Sequence, residues 1–538
     1  MPVSPLETYL REVGAIHQSW AGVRETSYYP TLSNLFNDIG KSLRPAVRCL
    51  TQLRNIGAGM PDGGFFTTQQ LQGHDVSSWD DTGPTPERGA LEVKSPTDDV
   101  MITAMSAQVR GYLETYGLVL VTNLRDFVLV QRNGQGEPVV LERFTLAASE
   151  AEFWTLTVHP QKAAHELGER FVEYLRRVML AKAELASPKQ VAWFLASYAR
   201  DARARIEHAD LQALTAVRTA LESSLGLTFE GEKGDHFFRS TLIQTLFYGL
   251  FSAWVLWCRM HGDTEGFDWK DAQWSLHVPM IRALFEQVSQ PSKLLPLHLV
   301  EPLEWAAGVL NRVDRTQFFA TFREEQAVQY FYEPFLEEFD PVLRKDLGVW
   351  YTPEEIVRYQ VERVDHVLRT ELDIARGLAD PRVVVLDPCC GTGTYLVEVL
   401  RRIQRTLKDE GEDALSSQDV KTAAMTRIHG FEIMPAPFVV AHLQLGLLLT
   451  SMGAPLQNEE RVGVYLTNSL TGWVPNPSGV HEPTPEELLF PEMTDERDAA
   501  RHIKQEEQIL VVLGNPPYNA FAGVHAEEEG DLVPTCVD

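Results

Sequence analysis

From Val383 to Gly514 the chain repeats one pattern: a short apolar run, a turn, then a segment with helical spacing. The apolar runs are VVVLD (383–387), RIHGFEI (427–433) and ILVVLG (509–514), with VYL (464–466) as a further strand candidate. Between them, TYLVEVLRRIQRTL and APFVVAHLQLGLLL repeat apolar residues at helical intervals. Buried strands alternating with helices predict a doubly wound, Rossmann-like parallel sheet. Such sheets take ligands in the crevice outside the carboxyl ends of their strands, so the turns that end these runs are where chemistry is expected.

Those turns carry unusual residues. The first runs Asp387-Pro388-Cys389-Cys390-Gly391-Thr392-Gly393 into a helix. Gly391 and Gly393 allow close backbone approach to a ligand, and the helix N-terminus favours a negative group there. A dinucleotide loop wants a third glycine, and that position is Leu396. The form suits a methionine carboxylate and amine, with no pyrophosphate to cradle. Glu432 ends the next strand, where an acid can accept from both hydroxyls of a ribose. Asn468 follows the VYL strand and is read either as an adenine contact or as a turn residue. Upstream, Thr352 reads as a helix N-cap, with Pro353 at the first helical position and Glu355 three residues on. Tyr351-Thr352-Pro353 also stands where a turn can close over a ligand held by the glycine loop.

The last run ends in Asn515-Pro516-Pro517-Tyr518. The prolines stiffen the turn and lack N–H groups, which leaves nearby carbonyls free to accept. Asn515 Oδ1 and the Pro516 carbonyl can accept the two hydrogens of a planar exocyclic amine. Tyr518 offers a face for stacking a flipped base.

Taken together and in this order, the Tyr-Thr-Pro, glycine-loop and Asn-Pro-Pro-Tyr motifs resemble those of N6-adenine DNA methyltransferases of the gamma order, over residues 330–538. The resemblance implies transfer of a methyl group from S-adenosylmethionine to adenine N6 in double-stranded DNA. It implies cofactor binding by Tyr351, Thr352, Pro353, Asp387, Pro388, Gly391, Gly393, Glu432 and Asn468, with Asn515, Pro516 and Tyr518 at the reacting base. It also implies a seven-stranded sheet in which Asn-Pro-Pro-Tyr ends the fourth strand, followed by a recognition domain. The chain runs instead from Asn519 to Pro534-Thr535-Cys536-Val537-Asp538. It is therefore expected to be C-terminally truncated or split, to leave its fourth strand as an apolar edge, and not to methylate DNA detectably without a downstream chain.

A second set lies near the N-terminus: Gly59-Met60-Pro61-Asp62, then Leu91-Glu92-Val93-Lys94. Strand alternation puts Glu92 and Lys94 on one face. Asp62 and Glu92 could hold Mg2+, with Lys94 orienting the attacking water. Gln108 and Tyr112 lie four apart on the next predicted helix and share a face. The set resembles the PD-(D/E)xK nuclease fold, with Glu7 and Glu25 as further carboxylates to weigh against plain helix charges.

The expected architecture is thus α/β multidomain: a nuclease-like α/β domain over 1–155, a helical connector over 156–345, and an incomplete Rossmann-like methyltransferase over 346–538. The combination resembles type IIG and type ISP restriction-modification enzymes. The connector shows no phosphate-binding Gly-x-x-x-x-Gly-Lys-Ser/Thr loop. The alternatives are a non-catalytic or split subunit that needs a partner chain, and a protein glutamine-N5 methyltransferase.

Composition bounds this reading. The net charge of −27 is an odd background for a DNA-binding protein, although residues 481–538 alone carry 14 acidic and 3 basic residues. Local basic stripes decide such binding more than the total. Five cysteines without metal or paired spacing, and no signal pattern, suggest the cytoplasm. TLIQTLFYGLFSAWVLWC (241–258) has nearly the length of a membrane span but includes Gln244, and is read as a buried core helix.

Overall fold

The computed structural model describes residues 4–19, 25–53, 59–72, 84–133, 135–183, most of 185–322, 331–339, 352–411, 416–457, 460–473 and 491–516. The chain divides into two compact units, Met1–Glu184 and Leu185–Asp538.

The first unit is built on a mixed six-stranded sheet. Helices α1 (Pro5–Gln18) and α2 (Tyr29–Gly40) precede β1 (Val47–Thr51), β2 (Gly63–Thr67) and β3 (Ala90–Val93). The strands β4 (Leu118–Thr122), β5 (Asp126–Arg132) and β6 (Pro138–Thr145) follow, and the spatial order is β1 to β6 in sequence. Neighbours are antiparallel except β3 and β4, which run parallel. A parallel pair needs a crossover, and it is supplied by the segment that includes α3 (Ala107–Tyr116). Ser106 caps α3 through the Val109 amide. Val109, Tyr112, Leu113 and Tyr116 of α3 cluster with Val119, Val121, Val128 and Val130. A second group joins Tyr9 of α1 and Phe171 of α4 (Pro160–Leu180) to Phe127, with the Phe127 and Phe171 rings 5.0 Å apart. Residues 156–183, grouped with the helical connector on sequence grounds, lie in this first unit, where α4 packs against α1.

The described elements of the second unit before Thr352 are helical. Ser187 and Gln190 form a capping box at the start of α5 (Pro188–Ile206). The long α6 (Gly231–Met260) contains the apolar stretch noted above. Gly234–Met260 is long and apolar enough to cross a membrane by length and composition, and 89% of its most apolar window is buried inside the protein. It packs against α5 and against the later helix Pro435–Ser451, as expected of a core helix.

The remaining part is a parallel sheet in the order β10-β7-β8-β9. Its strands are β7 (Val385–Asp387), β8 (Ile428–Glu432), β9 (Val464–Leu466) and β10 (Val511–Val512). The intervening helices are α7 (Glu354–Thr370), ahead of the sheet, then α8 (Thr394–Asp409), α9 (Ser416–Thr426), α10 (Pro435–Ser451) and α11 (Pro491–Glu506). Leu386, Phe431 and Ile503 form a core beneath it.

Two buried acids lock the frame. Asp365 of α7 accepts from Arg402 Nη2 at 2.7 Å, Arg369 Nε at 2.8 Å and the Leu378 amide at 2.8 Å, which ties α7 to α8. Glu496 of α11 pairs with Arg461 and accepts from the Leu466 amide at 2.8 Å, which ties α11 to β9. Hydrogen-bonded in this way, the carboxylates tolerate burial that would otherwise be costly. Among the described strands β10 is an outer one, with Leu510 48% and Val512 66% exposed.

Candidate functional site

In the first unit Asp62 stands just before β2, and Glu92 lies within β3. Both face one small polar cluster. Lys94 Nζ donates to Glu92 Oε1 at 2.6 Å, and Gln108 Nε2 donates to the same oxygen at 2.9 Å. Gln108 also bonds the Tyr112 hydroxyl at 2.9 Å, and that hydroxyl donates to the Met60 carbonyl at 3.0 Å. This last bond fastens the loop that carries Asp62 to α3. The Val93 amide donates to Asp62 Oδ2 at 2.8 Å, and the Tyr29 hydroxyl donates to Asp62 Oδ1. Glu92 Oε2 is buried and has no hydrogen-bond partner. Burial first, then the charge of Asp62, pushes the Glu92 carboxyl up to about 7.

All four predicted residues of this set, Asp62, Glu92, Lys94 and Gln108, are thus brought together. Glu25 acts on Glu92 and Lys94 through its charge. Glu7 is paired with Arg11. Among the described residues, no three His, Cys, Asp or Glu side chains cluster as a ready metal site.

In the second unit the glycine loop joins β7 to α8. Gly391 has φ +54° and Gly393, the N-cap of α8, has φ +90°, conformations that favour glycine. A Cβ on Gly391 would meet nothing within 4 Å, so the space over the loop is open. Asp387 Oδ1 accepts from the Cys389 amide at 3.1 Å, while Oδ2 is buried without a partner. Burial holds Asp387 up at about 7, with the charge of Glu432 adding to the effect.

Glu432 binds the loop itself. Its Oε2 accepts from the Gly391 amide at 2.9 Å, and its Oε1 accepts from the Ile433 and Met434 amides at 2.9 and 2.8 Å. A carboxylate offers about four acceptor positions. One is left, on Oε2, so Glu432 can take one ribose hydroxyl but not both without releasing an amide. Burial pushes Glu432 up to about 7.

Asn468 closes a turn, its Oδ1 accepting from the Leu470 amide at 2.9 Å. Lys504 Nζ anchors that turn from α11, donating to Thr467 Oγ1 at 2.8 Å and to the Asn468 carbonyl at 2.7 Å. Pro388 accepts through its carbonyl from the Ser469 hydroxyl, which ties this turn to the glycine loop.

Thr352 differs from the expectation. The N-cap of α7 is Pro353, with no side-chain cap. The hydroxyl of Thr352 instead accepts from Asn515 Nδ2 at 3.1 Å, across 163 residues of chain. An amide donor from the far end of the domain takes the hydroxyl that sequence proximity assigned to the helix. Pro516 is described and exposed, whereas Tyr351 and Tyr518 lie outside the described residues. The motif around β7 and the motif after β10 are therefore neighbours, since these strands pair through Val385–Val511 and Leu386–Val512.

The family model for N-6 DNA methylase matches residues 323–530. This C-terminal segment, less than half of the chain, is thus similar to an N-6 DNA methylase domain. No curated protein matches the chain. Among solved structures, the DrdV–DNA complex is similar at 20% identity, covering 96% of this chain and 44% of that one, with a TM-score of 0.38. The DNA-bound, ATP-dependent type ISP restriction-modification enzyme LlaBIII is similar at 19% identity over 70% of this chain and 23% of its own, with a TM-score of 0.41. The type IIG restriction endonuclease BpuSI is similar at 13% identity over 95% of this chain and 46% of its own, with a TM-score of 0.27. The chain spans less than half the length of each. These likenesses are distant, and no residue role rests on them.

Two residues of the methylase domain escaped the sequence reading. Lys504 is one; in a helix that also carries Arg497, Arg501 and His502, nothing local marked it. Gly514 is the other. A Cβ there would press on Asp387 Oδ1 and stand 3.1 Å from its Cγ. A glycine directly ahead of Asn-Pro-Pro-Tyr was the available signal. Gly514→Ala is expected to destabilise the domain by about 1–3 kcal/mol, as overpacking does. Chemical denaturation checks this, and an unchanged midpoint would show that the contact yields freely.

Proposed function

We propose that residues 346–538 carry methyl transfer from S-adenosylmethionine to N6 of adenine in duplex DNA, and that residues 1–155 carry a Mg2+-dependent DNA endonuclease, as in a restriction-modification protein. The observation that carries the first half is the bond from Asn515 Nδ2 to Thr352 Oγ1. A carboxamide has one donor end and one acceptor end. With the donor end held by Thr352, the acceptor end is presented to a substrate.

S-adenosylmethionine, when bound, supplies the electrophilic methyl group. The residues present fit it: open space over Gly391, an unpartnered buried oxygen on Asp387, and one acceptor position on Glu432. Asn515 Oδ1 and the Pro516 carbonyl accept the two N6 hydrogens, which keeps the nitrogen lone pair available and aimed. Positioning is the main contribution, and no covalent enzyme intermediate is needed.

For the nuclease half, Asp62 and Glu92 would hold Mg2+, whose charge would offset that of the scissile phosphate and acidify water. The buried, unpartnered Glu92 Oε2 is the atom that fits this role. Mg2+ keeps several waters and commonly takes only one or two carboxylates, so two suffice here. Lys94 then orients the attacking water.

The test has two readouts. The first is calorimetric binding of S-adenosylmethionine at pH 6 and pH 8. Burial keeps Asp387 and Glu432 partly protonated near neutrality. The sulfonium and ammonium of the ligand favour their ionised forms, so binding releases protons. Affinity should tighten with pH by roughly tenfold per proton per unit below 7. In the free protein the linkage runs the other way. Raised carboxyls contribute stability below their ordinary values, and that contribution is lost as the pH rises through about 7. The second readout is mass spectrometry of unmethylated DNA incubated with labelled cofactor and the protein. N6-methyladenine is the expected product. N5-methylglutamine in a protein acceptor, or no cofactor binding at either pH, would replace this reading.

A further inference from the structure

The segment Tyr28-Tyr29-Pro30 lies far in sequence from the residues of the N-terminal cluster, yet it reaches them. Tyr29 opens α2, is 6% exposed, and donates its hydroxyl to Asp62 Oδ1. The other carboxylate oxygen accepts from the Val93 amide at 2.8 Å, one residue along β3 from Glu92. Asp62 is thereby gripped at both oxygens, by a helix on one side and a strand on the other. Rotation of the carboxylate is restricted, and each oxygen still keeps an acceptor position. Glu92 is held in the same manner on one oxygen only, by Lys94 and Gln108, and its buried Oε2 has no partner. A phenol buried against a carboxylate is costly unless the bond is made, so the pair is held in one arrangement.

We propose that Tyr29 is a positioning residue for a divalent cation: its hydroxyl fixes the Asp62 carboxylate so that the remaining acceptor positions of Asp62 converge with Glu92 Oε2 on one ion. The inference rests on the metal-site reading of Asp62 and Glu92. Groups that orient metal-binding carboxylates commonly change metal affinity by roughly 10- to 100-fold when removed. A purely structural tie between α2 and β2 would change thermal stability instead.

The experiment is Mn2+ titration of the full chain, read by electron paramagnetic resonance of free Mn2+ and by calorimetry, with melting followed in parallel. Tyr29→Phe keeps the ring and removes only the hydroxyl. It is expected to weaken Mn2+ binding roughly tenfold or more while the protein remains folded at the assay temperature. Replacing Tyr29 with 3-fluorotyrosine, which retains the donor, should restore wild-type affinity. Tyr28→Phe should leave affinity unchanged, and Asp62→Asn should remove binding. If Asp62→Asn removes binding but Tyr29→Phe binds as wild type does, Tyr29 has no role toward the ion and the site reading stands. Wild-type protein that binds no Mn2+, or Asp62→Asn that binds it equally well, overturns the site reading and the inference with it.

Discussion

Asn515→Ala is expected to abolish methyl transfer, by roughly 100- to 1,000-fold or more, and to leave S-adenosylmethionine affinity within about twofold. The substitution removes the acceptor proposed to hold the target amine and also frees the Thr352 hydroxyl. Neither change touches Asp387, Gly391 or Glu432, which form the cofactor end of the proposed site. The measurement is single-turnover transfer from labelled cofactor in whichever preparation transfers, alongside calorimetry of cofactor binding. Affinity that collapses together with transfer would place Asn515 at the cofactor and not at the base.

Asp62→Ala is expected to eliminate Mg2+-dependent cleavage of supercoiled plasmid, a loss of roughly 1,000-fold or more if the ion supplies several kcal/mol of charge stabilisation. The substitution also releases the Tyr29 hydroxyl and the Val93 amide, so folding must be followed by circular dichroism. Cleavage that persists in folded Asp62→Ala protein would remove this residue from the metal site and leave Glu92 without its proposed partner.

The methylase sheet was legible because each strand is a short apolar run bounded by a turn. VVVLD, RIHGFEI, VYL and ILVVLG all contain strands of the parallel sheet; β9 matches its run, and β7, β8 and β10 are shorter than theirs. The N-terminal sheet was half legible. The apolar, β-branched runs LEVKS (91–95), GLVLVTN (117–123) and FVLVQR (127–132) read as strands and overlap β3, β4 and β5, whereas β1, β2 and β6 have no such local pattern. β2 opens with Gly63 and Gly64, which read as a turn, and β6 opens with Pro138, which reads as a break. β1 has Arg48 between Val47 and Cys49 and is too short for its alternation to stand out. Pairing with neighbouring strands, a non-local effect, makes these segments strands.

Residue roles divide in the same way. Glu92 and Lys94 could be placed on one strand face by alternation, and Gln108 and Tyr112 on one helix face by periodicity, whereas joining them with Asp62 rested on the resemblance to the PD-(D/E)xK fold. Tyr29 could not be joined to them, since nothing in the local pattern of α2 marks a bond to a carboxylate 33 residues away. Thr352 shows the limit most directly. Locally it has the residue type, the following proline and the third-position glutamate of a helix cap. In the folded chain its hydroxyl accepts from Asn515, 163 residues away, and α7 begins without it.

What the sequence determined by itself was periodicity and turn chemistry: which segments form strands and helices in the methylase domain, and which turns carry the acids, glycines and amide that chemistry would use. What only the tertiary structure decided was partnership. It showed that Glu432 spends three acceptor positions on backbone amides, that Asp387 and Glu92 each bury an oxygen with no partner, and that Thr352 holds Asn515. Periodicity is a short-range property of the backbone, whereas a hydrogen-bond partner depends on which distant segments the sheet order brings side by side.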